Sequence, residues 1–294
     1  MPNHDHVFVA GLHRSGTSFL TRAIANHPEA SSFSDTGFPE DEGQFLQRVF
    51  PIAKIYGGPG RFGFNRSSHL TELSPLVTDE NRARLHLDWN RNWDLSKRVL
   101  IEKSPPNLLK LRFLQEMYPE ATFIVMMRHP IAVALATQKW SLTSMHSLLR
   151  HWLACHEIFL EDAQFIRRLI LVRYETLITQ PDPIAHLQEA VGLEPMETDF
   201  YIRTDINRKY FEEWACQSGA ARRAFRTSLA KLYERRANRF GYSLLAPERT
   251  VQPSAAIGRL LNATAIETAS QRRTAPPARS CALSPLVPPL KKGS

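Results

Sequence analysis

Short runs of β-branched and aromatic residues recur along the chain, each followed by a stretch in which apolar positions return every three or four residues. Val7-Phe8-Val9-Ala10 reads as a first strand that stops at Gly11. Apolar residues at positions 19, 20, 23 and 24 predict a helix from Thr17 to Ile24, which His27-Pro28 ends. Arg98 to Glu102 is a second strand, followed by a helix carrying Leu108, Leu111, Leu114 and Met117. Thr122 to Met127 is a third, with a helix restarting beyond Pro130. A long helix is predicted from about Ser144 to Arg167, with Met145, Leu148, Leu149, Trp152, His156 and Phe159 on one face. Leu169 to Arg173 supplies a fourth strand, and Ile184, Leu187 and Val191 mark another helix. Phe225, Leu229, Leu232, Arg236 and Phe240 then define a last helical face, closed by Gly241. Strands alternating with helices imply βαβ units, a parallel sheet and an α/β fold.

Two stretches break the pattern. From Ser31 to about Asn65, Gly, Pro and acidic residues predict loop, with one short helix around Gln44 to Phe50. From Leu245 onward there are seven prolines and many small residues, so 245–294 is expected to be a disordered, Pro-rich basic tail behind a single domain at 1–244. That tail carries five of the eight net positive charges. The near-neutral body argues against a nucleic-acid groove, while leaving room for a local anion pocket. No apolar run approaches the ~20 residues a membrane span needs. With no signal-peptide pattern at Met1 to Ala10, a cytoplasmic protein is expected. Cys155, Cys216 and Cys281 lack metal-binding spacing and are expected to be free thiols.

The first strand and helix are joined by Gly11-Leu12-His13-Arg14-Ser15-Gly16-Thr17-Ser18. In that context main-chain N–H groups and the positive end of a helix dipole converge on an anion. The glycine spacing fits the triphosphate-binding pattern G-x-x-x-x-G-K-[ST], but Thr17 stands where the lysine belongs, which weakens a kinase or GTPase reading. The cation comes earlier, as Arg14.

His-Arg-Ser-Gly-Thr-Ser resembles the 5′-phosphosulfate loop of sulfotransferases that use 3′-phosphoadenosine 5′-phosphosulfate (PAPS). The form is nearest to that of tyrosylprotein sulfotransferases and of many bacterial family members. Phe123 to Pro130, ending Met127-Arg128-His129-Pro130, resembles the family's 3′-phosphate signature. The expected helix hydroxyl is missing, because Ala136 holds its place and Thr137 lies one residue on. Arg173-Tyr174-Glu175-Thr176-Leu177 and the run from Asn207 to Trp214 are similar to two further family segments. The resemblance implies a P-loop-type three-layer fold, with a central parallel sheet flanked by helices. It also implies a donor site of Arg14, Ser15, Gly16, Thr17, Ser18, Arg128, Thr137, Tyr174, Asn207 and Arg208, with Lys139 and Lys209 as weaker contacts.

Sulfuryl transfer needs positioning and charge stabilisation more than covalent help from the protein, so no metal is expected. Arg14 and Lys103 are the candidate cations. Glu42, then Asp35, are the candidate bases among the acidic residues that follow His27-Pro28; Glu40 and Asp41 lie in the same run, and Glu102 and His13 are outside candidates. The acceptor, a small molecule, carbohydrate or peptide bearing a hydroxyl or amine, is expected between the loops at 33–71 and 141–146. A nucleotide-binding module without turnover is the competing reading.

Overall fold

The computed structural model describes residues 4–180, 182–196, 205–216 and 219–262. Five strands, β1 (Asp5–Gly11), β2 (Ala30–Ser32), β3 (Val99–Lys103), β4 (Thr122–Met127) and β5 (Leu169–Arg173), form one parallel sheet in the order β2-β3-β1-β4-β5. In β1 alternate side chains feed two cores. Phe8 and Ala10 join Leu100, Phe123 and Val125 on one face, while Val7 and Val9 join Ile101, Ile124 and Met126 on the other. Helices cover both faces: α1 (Thr17–Ala25) lies over the second, and α2 (Asp79–Asn90), α3 (Leu111–Met117), α4 (Pro130–Ser141) and α5 (Met145–Asp162) lie over the first. The result is the three-layer α/β fold expected from the sequence.

Chain order sets the position of the site. β1 is central, with the earlier crossovers leading to β2 and β3 on one side and the later ones to β4 and β5 on the other. The loop after β1 therefore lies where the sheet changes direction of growth, and a crevice opens outside the strand ends there.

Local chemistry explains the helix starts. Thr78 accepts a hydrogen bond from Asn81 N at 3.1 Å, with Asp79 and Glu80 in the first turn of α2; such a cap contributes about 1 kcal/mol. Pro130 opens α4 behind the His129 ring, which accepts from Ile131 N at 3.2 Å. Ser144 caps α5 in the same way.

Several expectations change. The helix α2 was not legible, since only Leu85, Asp88 and Trp89 are buried along it. No α-helix spans Gln44 to Phe50. A single 3-10 turn, Gly43–Phe45, is followed by chain that the Gln47 side chain ties to Val49 and Phe50. Helix α5 ends at Asp162 rather than Arg167.

Beyond β5 come α6 (Tyr174–Leu177), α7 (Pro183–Ala190), α8 (Arg208–Ala215) and α9 (Ala220–Asn238). Helix α9 buries Leu229, Ala230, Tyr233 and Ala237, and leaves Phe225 and Leu232 mostly exposed, so its inner face is rotated from the one predicted. Packed chain also continues past Leu244. A helix over 255–262 buries Ile257 completely and sets Leu260 and Leu261 against the first core. This apolar stripe was hidden among the small residues and prolines that suggested disorder. The remainder of the expected tail, with Cys281, lies outside the described residues, and Cys155 and Cys216 are free thiols.

Candidate active site

The turn between β1 and α1 is shaped by close approach. A Cβ on Gly11 would meet the Met126 carbonyl oxygen at 2.6 Å, and one on Gly16 would meet the Tyr174 ring at 2.9 Å. Gly16 has φ +107°, a conformation L side chains rarely adopt. Arg14 also takes a left-handed conformation, φ +68°, and extends an exposed guanidinium that passes 5.3 Å from the Trp140 ring. Helix α1 begins at Thr17 with no side-chain cap, so its first-turn N–H groups face the crevice without intrahelical partners. Beneath them the Ser15 hydroxyl is buried without a hydrogen-bond partner, as is His13 Nδ1. Orphaned buried polar atoms are costly, about 1–3 kcal/mol each, a cost that a ligand bound in the crevice would offset.

Arg128 stands at the end of β4, next to the edge strand β5, and is 6% exposed. Its Nε donates to Asn207 Oδ1 at 2.8 Å, and Nη1 donates to the main-chain oxygen of Arg14 at 3.0 Å. Nη2 is buried with no partner. The guanidinium lies 4.3 Å over the Tyr174 ring, which also packs beside Gly16. Burial disfavours its charge, and Tyr174 and Glu175 counter that. Glu175 organises the group: Oε1 accepts from Asn207 Nδ2 at 2.7 Å and from His129 N at 2.9 Å, and Oε2 accepts from the Tyr242 hydroxyl at 2.9 Å. The Trp152 indole N–H donates to the Arg128 carbonyl at 3.0 Å and fixes the strand end.

These parts open on one cavity of about 1100 Å³. Of the sequence candidates, Arg14, Gly16, Thr17, Ser18, Glu42, Arg128 and Tyr174 line it. Ser15 and Asn207 lie just behind the wall. Others are elsewhere. Asp35 is exposed and off the cavity. Thr137 is buried toward Gly60, leaving Ala136 on the wall. Arg208 is paired with Glu212 at 2.9 Å, and Lys139 with Glu213 at 3.6 Å. Glu102 is fully buried under Gly43, where burial pushes its carboxyl up to about 7. His13 lines the cavity, but burial first, then Lys103 and Arg14, push its imidazole down to about 3, too weak a base at neutral pH.

Glu42 is the buried acid on the cavity wall. It accepts from the Gln44 amide and faces Lys103 Nζ at 3.7 Å. Burial raises its carboxyl above the usual range, and Lys103 partly offsets the rise. Lys103 is itself buried and donates to the Glu40 carbonyl at 2.7 Å; burial lowers its ammonium, and Glu42 opposes that. Glu40 accepts from Ser18 Oγ at 3.0 Å, which ties the acidic loop to the first turn of α1. Sequence reasoning missed Trp140, Gln44 and Tyr210, all on the cavity wall: Trp140 and Gln44 lie outside the recognised motifs, and Tyr210 lies within the run from Asn207 to Trp214 but was not singled out there. Among the described residues no group of three or more His, Cys, Asp or Glu could hold a metal ion, and no helix is long and apolar enough to cross a membrane.

A three-layer fold with a main-chain anion cradle at the switch point of its parallel sheet, faced by a buried arginine, is an arrangement that can receive a phosphorylated or sulfated ligand. Residues 6–197 match the model of the sulfotransferase family, and the chain belongs to that family. Similar solved structures include a sulfotransferase from Alicyclobacillus acidocaldarius, 19% identical over 75% of this chain and 99% of its own, with a TM-score of 0.42. The sulfotransferase domain of the Synechococcus PCC 7002 olefin synthase is 17% identical over 94% of this chain and 96% of its own, with a TM-score of 0.40. Sulfotransferase STF1 from Mycobacterium tuberculosis H37Rv is 15% identical over 72% of each chain, with a TM-score of 0.42.

Proposed function

We propose that this chain transfers a sulfuryl group from PAPS to a hydroxyl or amine acceptor by in-line displacement, without a metal. The observation that carries the reading is the 3.0 Å bond from Arg128 Nη1 to the Arg14 carbonyl, which ties the strand-end arginine to the β1–α1 turn on the wall of one cavity. A single adenosine bisphosphate can therefore engage both. The N–H groups of Gly16, Thr17 and Ser18, with the Ser15 hydroxyl, hold the 5′ end. Arg128 Nη2 meets the 3′-phosphate, with Tyr174 and Asn207 positioning it.

The sulfur–oxygen bond to the donor's 5′-phosphate breaks as a bond to the acceptor oxygen or nitrogen forms. Arg14 stabilises charge on the departing phosphate oxygen. Glu42 takes the acceptor proton, in preference to Asp35, and Lys103 is the second cation, keeping Glu42 ionised from 3.7 Å. Thr137 and Arg208 are left out of the donor site on this reading. The 3′-phosphate then rests on Arg128 without a helix hydroxyl.

A screen with labelled PAPS against phenol, alcohol, amine, sugar and peptide acceptors tests the proposal. Transfer to at least one class, abolished by Arg14→Ala, is expected. Tight binding of 3′-phosphoadenosine 5′-phosphate (PAP) with no transfer to any class would make the chain a binding module instead.

A further inference from the structure

A second recess, about 850 Å³, adjoins the donor cavity, with Gly57 lining both. Three of its ten lining residues are arginines, Arg61, Arg66 and Arg150, and none is acidic. Elsewhere on this surface many exposed arginines carry carboxylate partners: Arg48 with Asp88, Arg98 with Asp5 and Glu29, Arg168 with Glu120. The three in the recess form no ion pair among the described residues. Two are held by neutral groups. Arg61 Nε donates to the buried Thr143 hydroxyl at 3.2 Å, and the Arg150 guanidinium lies 4.3 Å over the Phe64 ring. Such contacts fix the planar forks and leave their charge uncompensated. Three like charges around one concavity repel one another, and a bound anion relieves that repulsion. Guanidinium forks match carboxylate, phosphate and sulfate oxygens in pairs.

The neighbouring cavity holds Arg14 and Arg128, and the rest of its wall is largely apolar, with Phe38, Phe45, Ile52 and Trp140 on the same lining as Glu42. Resting on the donor reading above, we propose that the acceptor is amphipathic. Its apolar body lies in the cavity with its hydroxyl or amine at Glu42, and an anionic group set back from the reacting atom is held by Arg61, Arg66 and Arg150.

The test is calorimetry on the full chain saturated with PAP, so that the donor site is filled, with inorganic pyrophosphate and citrate as separate probes. The wild type is expected to bind at least one probe. The double variant Arg66→Gln/Arg150→Gln should bind it at least tenfold more weakly, with an unchanged melting temperature and with PAP affinity within twofold of wild type. Preference for pyrophosphate assigns a phosphate or sulfate group, and preference for citrate a carboxylate. Failure of either probe to bind the PAP-saturated wild type, or equal binding by the double variant, overturns the proposal. Failure of PAP itself to bind counts against the donor reading alone, and the same titrations on nucleotide-free protein then decide the recess.

Discussion

Replacing Arg128 by alanine separates recognition of the 3′-phosphate from recognition of the rest of the nucleotide. In the wild type Nε and Nη1 are committed to Asn207 and to the Arg14 carbonyl, and Nη2 alone is left buried and unpartnered. One hydrogen bond between a charged group and a phosphate contributes about 1.5–3 kcal/mol. At about 1.4 kcal/mol per decade, its loss weakens PAP binding roughly tenfold to a little over a hundredfold. The truncation also leaves Asn207 Oδ1 and the Arg14 carbonyl without their donor, so the melting temperature should fall as well. Calorimetry with PAP and with adenosine 5′-monophosphate, which lacks the 3′-phosphate, distinguishes the two effects. The wild type should prefer PAP. In Arg128→Ala that preference should disappear, with the monophosphate losing much less affinity than PAP. Equal losses for both nucleotides would mean that Arg128 only props up the loop, and the argument for a 3′-phosphate contact would be refuted.

Arg14→Ala should lower kcat by at least a hundredfold with little change in melting temperature, because its exposed guanidinium lies over the Trp140 ring and forms no ion pair among the described residues; labelled-donor turnover within tenfold of wild type removes it from the mechanism. Burial raises the Glu42 carboxyl, and a base must be ionised to act, so the transfer rate should fall as pH drops through that raised value. Glu42→Gln should abolish turnover at every pH while retaining PAP binding, and a variant with wild-type activity contradicts the assignment. Glu102, raised to about 7 by burial, holds its proton more tightly in the folded state than in the unfolded chain. Its contribution to stability is therefore full at low pH and declines as pH rises from about 4.5 to about 7. Glu102→Gln should flatten the urea midpoint across that range, and an unchanged slope would show that Glu102 ionises normally.

What the sequence made legible was local. The strand-turn-helix around Gly16 and the arginine ending β4 announce themselves within eight-residue windows, since glycine spacing and strand-end position need no distant partner. The partnerships do not. Asn207 reaches Arg128 and Glu175 only because α8 returns to the end of β4 after 79 residues of chain, and Trp140 meets Arg14 only once α4 is packed. The acidic run after His27-Pro28 could be ranked from the sequence only by reach, Glu42 before Asp35; folding adds that Glu42 is buried on the cavity wall and Asp35 is in solvent. Thr137 was a reasonable substitute for a hydroxyl by position. One residue around a helix is about 100°, though, and that turns it from the cavity toward Gly60. Helix α9 deceived for the same reason: large apolar residues at Phe225 and Leu232 outweighed the small Ala230 and Ala237 that allow close packing.

The proposed transfer requires two cations of one chain to grip opposite ends of one nucleotide. A crystal structure of the full chain with PAP tests that directly. The 5′-phosphate should lie against the amides of Gly16 to Ser18 and the Ser15 hydroxyl, with the 3′-phosphate on Arg128 Nη2. PAP bound away from the β1–α1 turn, or bound there with its 3′-phosphate turned from Arg128, would contradict it.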